Sequence, residues 1–377
     1  MATKITIGMP KIKISFRQEL AESVERSDRG TVYLIVRDGT DGATGVHGYK
    51  RASALTADQA KYTAANYQYI SDALAAGPSE VVVVAIGAED AIDEALDTID
   101  KMGTTGRVTV ADGTAADYAA LVAFAKTAEA EDIGWHVLTY GEGGADCKHV
   151  ENLSSKIVAR VVWADSDRGT AGGVTLIPRL AGVLSACNVR RSATYYVLDD
   201  LTDIVAQDPG EGENAYSIET EIDKGNLCLF NDHGTIRIAR GVNTLQTVND
   251  TDSTNDMRFV DIVETVDLMR DDIRSLFLNN YVGQVKNSAD NQALFVADLI
   301  AMMTGYAGEE ILDADFANTA EINADAMRAY WESQGVDTGA ISDDDIKKKI
   351  IGREVYVKMT FKPLRAMEGM TAEGTLE

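Results

Sequence analysis

Hydrophobic and polar positions in the middle of the chain alternate between two periods. Residues 81–86 (VVVVAI) form an uninterrupted apolar run, which is typical of a strand buried on both faces of a sheet. In residues 90–102, Ile92, Leu96 and Ile99 recur at the spacing of one helical face. This alternation continues to residue 200 and predicts an open, largely parallel α/β sheet. The other predicted strands are 107–112, 135–140, 157–164 and 195–198, and the other predicted helices are 116–131, a short one near 149–155, and 175–186.

Beyond residue 200 the pattern changes to shorter alternating segments. Residues 216–241 alternate apolar and polar positions with turn signals at Lys224–Gly225 and His233–Gly234, which predicts antiparallel strands. Two amphipathic helices are predicted over 257–283 and 291–308. Residues 353–364 alternate strictly and end in a proline, which favours an edge strand. The predicted fold class is therefore an open α/β sheet domain joined to a mixed α+β domain.

Both ends of the chain contain short strand-like pieces that have few local partners. Residues 3–16 (TKITIGMPKIKISF) and 353–377 are too short and too polar to fold alone. Such segments either pair with a sheet edge, in their own chain or in a neighbour, or they fray. The pattern by itself leaves both interpretations open.

The composition excludes several classes of partner. The chain has 377 residues, of which 60 are Asp or Glu and 35 are Lys or Arg, so its formal net charge is −25. An acidic surface repels phosphate groups, and we expect no direct binding to nucleic acid. The first residues lack the apolar core of a secretion signal and no run is long enough to span a bilayer, so we expect no membrane insertion. Three cysteines without CxxC spacing favour a reducing compartment.

Aspartates at strand ends are the one feature of the sequence that suggests catalysis. Carboxylates at the carboxyl ends of parallel strands are able to hold Mg²⁺ beside a phosphate, so a metal-dependent phosphohydrolase is the alternative hypothesis. The sequence contains no GxGxxG after a strand, no GxxxxGK[ST] and no GxSxG. We therefore predict no enzyme, and we assign no catalytic residue, cofactor or metal ligand. The aspartates concerned are Asp112, Asp146, Asp165, Asp167, Asp199 and Asp200.

A family resemblance is carried by the segment IARGVNTLQT and by the two helices after it. In this segment a strand runs into Arg240, Gly241, Asn243, Thr244 and Leu245. The first of the two helices ends in a Tyr–x–Gly–x–x–x–Asn pattern, which Tyr281, Gly283 and Asn287 match. Over about residues 225–362 the chain resembles the C-terminal domain of contractile tail sheath proteins from myophages, prophages and R-type bacteriocins. Residues 170–198 show a weaker similarity, and the size is similar to that of the smaller Gram-positive sheaths.

The residues of the 238–252 segment allow two interpretations: an anion-binding loop or a structural joint. The resemblance favours the joint. We expect Gly241 to supply a sharp or unusual φ/ψ turn between sheet and loop, and we expect Asn243 and Thr244 to satisfy local backbone groups.

The resemblance also implies a function. It implies a structural subunit that polymerises helically around an inner tail tube and contracts from a metastable extended state, driving the tube through the envelope of a target cell. The implied partners are further copies of the chain, the tube protein, and baseplate and tail terminator proteins. The implied location is a virion tail or phage tail-like particle that is assembled in the cytoplasm of the bacterial host.

The implied domains are an N-terminal arm at 1–20, an outer α/β domain at 21–200, a C-terminal sheath domain at 201–362 and a C-terminal arm at 363–377. Each arm is expected to add a strand to the sheet of a neighbouring subunit. The expected tube contact is a helix face with Arg270, Asp271, Asp272 and Arg274. The expected arm residues are Ile5, Ile7, Gly8, Ile12, Ile14, Pro363, Gly369 and Gly374.

Overall fold

The computed structural model describes residues 30–187, 189–209, 215–249 and 254–372, and these fall into two compact units. The larger unit holds the described residues up to Thr265 together with those from Arg365 onward. The smaller unit runs from Val266 to Leu364. Among the described residues, no helix has the length and hydrophobicity needed to cross a membrane.

The larger unit contains twelve strands and six complete helices in its described residues. The strands are β1 (Thr31–Arg37), β2 (Gly45–Tyr49), β3 (Glu80–Ile86), β4 (Arg107–Val110), β5 (His136–Gly141), β6 (Val150–Ser154), β7 (Arg160–Trp163), β8 (Thr170–Gly172), β9 (Leu201–Val205), β10 (Asn226–Leu227), β11 (Leu229–Asp232) and β12 (Thr235–Ile238). The helices are α1 (Ala52–Ala57), α2 (Ala64–Ala75), α3 (Asp93–Asp100), α4 (Ala115–Ala130), α5 (Ile177–Ala186) and α6 (Ile218–Asp223). Helix α7 (Val260–Asn280) begins in this unit and continues into the smaller one.

Seven of these strands form one sheet in the order β10-β6-β5-β4-β1-β3-β2. All neighbours pair in parallel except β2, which runs antiparallel to β3 at the edge. The predicted open, largely parallel α/β sheet is therefore confirmed. One of its inner strands, β1, which pairs with β4 and β3, lies in the stretch 21–79, for which the pattern predicted no strand.

Both faces of this sheet are covered, which explains why its central strands are apolar throughout. Leu34 of β1 belongs to a core that includes residues of α2 and α5, whereas Ile35 belongs to a separate core that includes residues of α3 and α4. Successive side chains of a strand point to opposite faces, so a strand between two helical layers buries every position. Pro178 lies in the first turn of α5, where its missing N–H costs no hydrogen bond.

Helix α4 begins at a capping box that is tied to the end of β1. Thr114 accepts a hydrogen bond from the backbone of Asp117, whose carboxylate accepts one from the backbone of Thr114. Arg37 donates to both carboxylate oxygens of Asp117 at 2.7 and 3.0 Å. The side-chain hydrogen bond from Arg37 is the main reason why the pKa of Asp117 falls from 3.8 to about 2.

This pKa shift predicts how the stability of the protein depends on pH. Because the folded-state pKa of Asp117 lies below its unfolded value, its stabilisation is complete above about pH 3.8 and is lost as the pH falls toward 2. We expect Asp117→Asn to be less stable at neutral pH and to lose stability less steeply in that window, by about one proton. Urea denaturation at a series of pH values measures both quantities, and an unchanged slope would contradict the assignment.

Three predicted elements in the larger unit differ from the structure. The predicted helix near 149–155 is strand β6, which lies buried between β5 and β10. Strand β7 is correct as a strand, but it belongs to a separate antiparallel sheet in the order β8-β7-β9. Residues 195–198 form no strand, although they lie beside β12 with the bridge Val197–Arg237 and backbone hydrogen bonds to Ile236 and Ile238. In each case long-range pairing decided the outcome, and hydrophobic period carries no information about pairing partners.

The antiparallel prediction for residues 216–241 is partly right. Strands β11 and β12 form a hairpin whose turn has positive φ at His233 and Gly234. Strand β10, however, pairs in parallel with β6 and so completes the main sheet, and residues 218–223 are helix α6. Since β9 also pairs with β7, the structure places residues 201–209 and 215–249 in the same unit as 30–200. The boundary between the two units lies within α7, between Thr265 and Val266, and not after residue 200 as we expected.

The smaller unit combines helices with one short, two-stranded antiparallel sheet. Helix α8 (Ala289–Gly308) follows α7 and packs on it through Phe295, which contacts the rings of Phe277 and Tyr281. Strand β13 (Thr319–Ile322) pairs antiparallel with β14 (Val357–Thr360), and between them lie α9 (Ala324–Ser333) and α10 (Asp343–Lys347). The predicted helices α7 and α8 and the predicted strand near 353–364 are therefore present.

Candidate functional site

The segment from Ala239 to Asn249, here called the junction loop, follows β12 on the way to α7. Its centre is fully buried at Asn243 and Thr244. Asn243 Nδ2 donates to the carbonyl of Met257 at 2.7 Å, and Asn243 Oδ1 accepts from the backbone of Leu245 at 3.1 Å. Leu245 packs with Met257 and Val263 of the α7 region. Asn243 therefore ties both sides of the loop together, partly through the local backbone bond that we expected.

Thr244 anchors the junction loop to the main sheet, whereas a local role was expected. Its N–H donates to the carbonyl of Val150 at 2.8 Å and its hydroxyl donates to the carbonyl of Cys147 at 3.1 Å. Asp146 accepts hydrogen bonds from the backbone of Gln246 and Thr247 at 2.7 and 2.9 Å and from the Thr247 hydroxyl at 2.6 Å. These hydrogen bonds, with the one from the Thr247 hydroxyl foremost, lower the pKa of Asp146.

The expectation of an unusual φ at Gly241 is wrong. Gly241 is absent from the positive-φ residues of the described chain, and a Cβ there would lie 3.5 Å from Ala193 Cβ, an ordinary contact. Its N–H donates to Thr194 Oγ1 at 3.0 Å and its carbonyl accepts from Val260 at 3.1 Å. The position that requires glycine is Gly225. Its φ is +81°, and a Cβ there would lie 2.3 Å from the carbonyl oxygen of Asn243.

The backbone donors of the junction loop are already used. Every N–H from Gly241 to Thr247 donates to an acceptor within the larger unit. An anion-binding loop needs converging N–H groups that point at a ligand. The hydrogen bonding therefore favours the structural joint over the anion site.

We expect Asn243→Ala to destabilise the larger unit by about 2–3 kcal/mol, because it leaves the buried carbonyl of Met257 and the buried N–H of Leu245 without partners. Urea denaturation followed by circular dichroism measures the loss. Asn279→Ala, at an exposed position of α7, is the matched control and should stay within about 0.5 kcal/mol of the parent. A similar effect of the two substitutions would contradict the role of Asn243.

The second part of the family motif closes the end of α7. The Tyr281 hydroxyl donates to Asp298 of α8, and burial together with this carboxylate raises the pKa of Tyr281. Gly283 has φ +76°, a conformation that favours glycine. Asn287 Nδ2 donates to the carbonyls of Gly352 and Glu354 at 3.3 and 3.0 Å. All three residues hold backbone or helix ends in place within the smaller unit.

A cluster of charged side chains lies buried beside the start of α7, and the sequence did not predict it. This charge network consists of Arg107, His136, Glu151 and Glu264, from β4, β5, β6 and α7. Arg107 Nη2 lies 3.1 Å from Glu151 Oε1 and 2.9 Å from Glu264 Oε1, and His136 Nδ1 lies 2.8 Å from Glu151 Oε1. Burial would raise the pKa of Glu151, but Arg107 and His136 outweigh it and lower that pKa to about 2. The sequence feature that points to this network is Arg107, a charged residue at the start of the otherwise uncharged strand segment RVTV.

The expected tube-contact face is only partly accessible. Arg270 is buried and pairs with Asp267 at 2.9 Å, and Asp272 is buried and accepts a hydrogen bond from Tyr306. Both residues are therefore corrected from surface contacts to interior ones, because α7 is buried at every position from 265 to 270 and again at 272. Asp271 and Arg274 are partly exposed.

The expected arm residues have three outcomes. Ile5, Ile7, Gly8, Ile12, Ile14 and Gly374 lie outside the described residues. Pro363 is buried and forms a bridge with Leu312, so it belongs to the smaller unit and does not open the arm as we expected. Gly369 lies in the exposed segment 365–372, here called the tail, and a Cβ there would meet no atom within 4 Å.

The tail is attached to the rest of the larger unit through two ion pairs, one of which involves the junction loop. Glu368 lies 2.8 Å from Arg240 Nε and accepts a hydrogen bond from the Thr194 hydroxyl at 2.6 Å. Arg365 pairs with Asp256. Met367 and Met370 stay 96% and 89% exposed.

The strand-end aspartates do not converge. Asp146 holds the junction loop, Asp200 pairs with Arg179 at 2.5 Å, and Asp165 accepts from the backbone of Asp167 at 2.9 Å. In the part of the chain that the structure describes, none of the six belongs to a group of three potential metal ligands. The geometry thus offers no metal-binding cluster for the phosphohydrolase alternative.

Comparison with known proteins agrees with the resemblance seen in the sequence. Residues 252–377 match the family described as the phage tail sheath C-terminal domain. The chain is 24% identical over 369 residues to the tail sheath protein of Clostridium phage phiCD119, and this match covers 96% of the chain and 97% of the relative.

Two solved structures show the same fold. The sheath tail protein of Desulfitobacterium hafniense has a TM-score of 0.65 at 13% identity, with 82% of this chain and 93% of that chain covered. The contracted helical sheath of the anti-feeding prophage has a TM-score of 0.66 at 12% identity, with 99% of this chain and 100% of that chain covered.

The fold is thus that of the tail sheath proteins. The predicted resemblance to the contractile tail sheath family is confirmed. The enzyme alternative finds no support among these relatives.

Proposed function

We propose that this chain polymerises helically around an inner tail tube and contracts to drive the tube through the envelope of a target cell. The observation that carries the proposal is the match to the contracted sheath of the anti-feeding prophage, which covers 99% of this chain and all of that subunit. A subunit whose whole length shares the fold of a helical sheath component has the elements required for the same kind of assembly.

The connections between subunits are made by the two ends of the chain. Segment 1–20 and the residues beyond Leu364 each add a strand to the sheet of a neighbouring copy. Such contacts are heterologous, and heterologous contacts that do not close into a ring generate a helix. The exposed Met367 and Met370 support this role for the tail, since apolar side chains at the surface of a free subunit are suited to burial in an interface.

Contraction follows from the same connectivity. The extended sheath is kinetically trapped, and a signal from the baseplate releases it. Subunits then move as rigid bodies into a tighter lattice while the arms keep neighbours connected. Asp271 and Arg274, the partly exposed residues of the expected face, contact the tube, and tail terminator proteins cap the far end of the sheath. The particle is assembled in the host cytoplasm and works as a virion tail or tail-like particle.

Electron microscopy of the purified full-length protein tests this function. We expect negatively stained samples to contain tubes or sleeves of regular diameter, because each copy carries both the arms and the sheet edge that receives the arms of a neighbour. A protein that stays as monodisperse globular particles, at concentrations and salt conditions that span those of a bacterial cytoplasm, would contradict the proposal.

A further inference from the structure

Three side chains of unlike chemistry converge beside the junction loop. Glu129 lies near the end of α4, and Cys147 and His149 lie in the connection between β5 and β6. The Cys147 thiol donates to Glu129 Oε2 at 3.1 Å, and His149 Nδ1 lies 2.9 Å from the same oxygen. One donor atom from each residue lies within 4.8 Å of the other two.

The spacing and burial of these atoms suit a small cation. Ligand atoms around a tetrahedral zinc ion are separated by roughly 3.3–3.6 Å, so the two separations from Glu129 Oε2 need to grow by only a few tenths of an ångström. Cys147 and His149 are buried, whereas 31% of the Glu129 side chain is exposed. The site is therefore closed on the sheet side and has a route to solvent through the carboxylate.

The donor set selects the kind of ion. A thiolate and an imidazole favour Zn²⁺ and disfavour Mg²⁺ and Ca²⁺, which prefer oxygen ligands. One thiolate and one carboxylate neutralise the two charges of the ion. Lys148 lies 3.3 Å from Glu129 Oε1, so it holds the carboxylate through the oxygen that Cys147 and His149 do not contact.

We propose that Glu129, Cys147 and His149 form a zinc-binding site with three protein ligands, the fourth position being taken by water. Binding replaces the thiol proton of Cys147 with the metal and releases that proton to solvent. The proposal concerns the larger unit alone and is independent of the proposed assembly.

A bound ion would stiffen the anchor of the junction loop. The carbonyl of Cys147 accepts the hydrogen bond from Thr244, and the preceding residue, Asp146, holds Gln246 and Thr247. Zinc coordination by the Cys147 side chain fixes the backbone that makes these contacts. We therefore expect zinc to slow hydrogen exchange at the amides of residues 244–247.

The test uses untagged full-length protein that has been treated with a chelator and dialysed, and the probes are Zn²⁺ by calorimetric titration and Co²⁺ by absorption spectroscopy. We expect one Zn²⁺ per chain and, with Co²⁺, a thiolate-to-cobalt charge-transfer band. Cys147→Ala should lose the stoichiometric binding and the band. Cys187→Ala is the matched control because Cys187 is also a buried free cysteine but lies outside the cluster, and it should retain both.

A second variant separates loss of a ligand from loss of the fold. Glu129→Gln keeps the size of the side chain and removes one negative charge, and we expect zinc affinity to fall at least about tenfold while the circular dichroism spectrum is unchanged. The absence of stoichiometric zinc binding in the parent protein would overturn the proposal. A cobalt spectrum of the Cys147→Ala variant that still shows the thiolate band would overturn it as well.

Discussion

Removal of residues 1–16 is expected to abolish tube formation and to leave a folded monomer. In the proposed assembly this segment supplies one strand of every contact made by the N-terminal arm, so its loss removes the connection from all subunits at once. The main sheet and the smaller unit build their described cores from residues beyond 30, and we expect their thermal unfolding to be unchanged. Negative-stain microscopy and analytical ultracentrifugation measure the assembly, and calorimetry measures the unfolding.

Two point variants refine this experiment. Strand addition depends on backbone hydrogen bonds, so a proline within the arm should weaken assembly whereas a conservative side-chain change should not. Ile7→Pro is the disruptive variant and Ile7→Val is the matched control. Normal tubes from the truncated protein would show that the arm assignment is wrong, and equal behaviour of the two Ile7 variants would show that pairing through the backbone is wrong.

A large decrease in the free energy of unfolding is expected from Arg107→Ala in the charge network. This substitution leaves Glu151 fully buried next to Glu264 without the cation that both contact. Removal of one partner from a buried ion pair costs about 3–5 kcal/mol, because the remaining charge is not solvated. His136 stays 2.8 Å from Glu151, so we expect a loss near the lower end of this range, about 3 kcal/mol. Urea denaturation of the full-length protein followed by far-ultraviolet circular dichroism measures the decrease in the free energy of unfolding.

An exposed ion pair provides the control for this substitution. Lys101 and Asp97 lie 3.6 Å apart on α3 with 76% and 79% of their side chains exposed, so Lys101→Ala should change stability by less than about 1 kcal/mol. The loss of stability caused by Arg107→Ala should be smaller when Glu151 carries no charge. In a Glu151→Gln background, Arg107→Ala should therefore be less destabilising than in the parent. A loss below about 1 kcal/mol in the parent background would show that solvent or rearrangement compensates the buried carboxylate.

The spacing of apolar residues was enough to predict those strands and helices whose burial, on one face or on two, sets that spacing directly. The run at 81–86 is apolar because helices cover both faces of the sheet, and the spacing of Ile92, Leu96 and Ile99 reflects the single buried face of α3. The order of motifs from Arg240 to Asn287 was enough to indicate the tail sheath family. In these cases local spacing and composition carry the whole signal.

The partners of residues that are distant in sequence depend on how the chain packs in three dimensions. Residues 150–154 became a strand because β5 and β10 offered two edges, and Asn152 and Ser154 found buried partners in Asn226 and Glu221.

The partners of Thr244 and Arg107 lie about 97 and 44 positions away along the chain, so no local pattern encodes them. The convergence of Glu129 with Cys147 and His149 has the same origin. Hydrophobic period records how a segment is buried, whereas hydrogen-bond and ion-pair partners depend on which segments packing brings together.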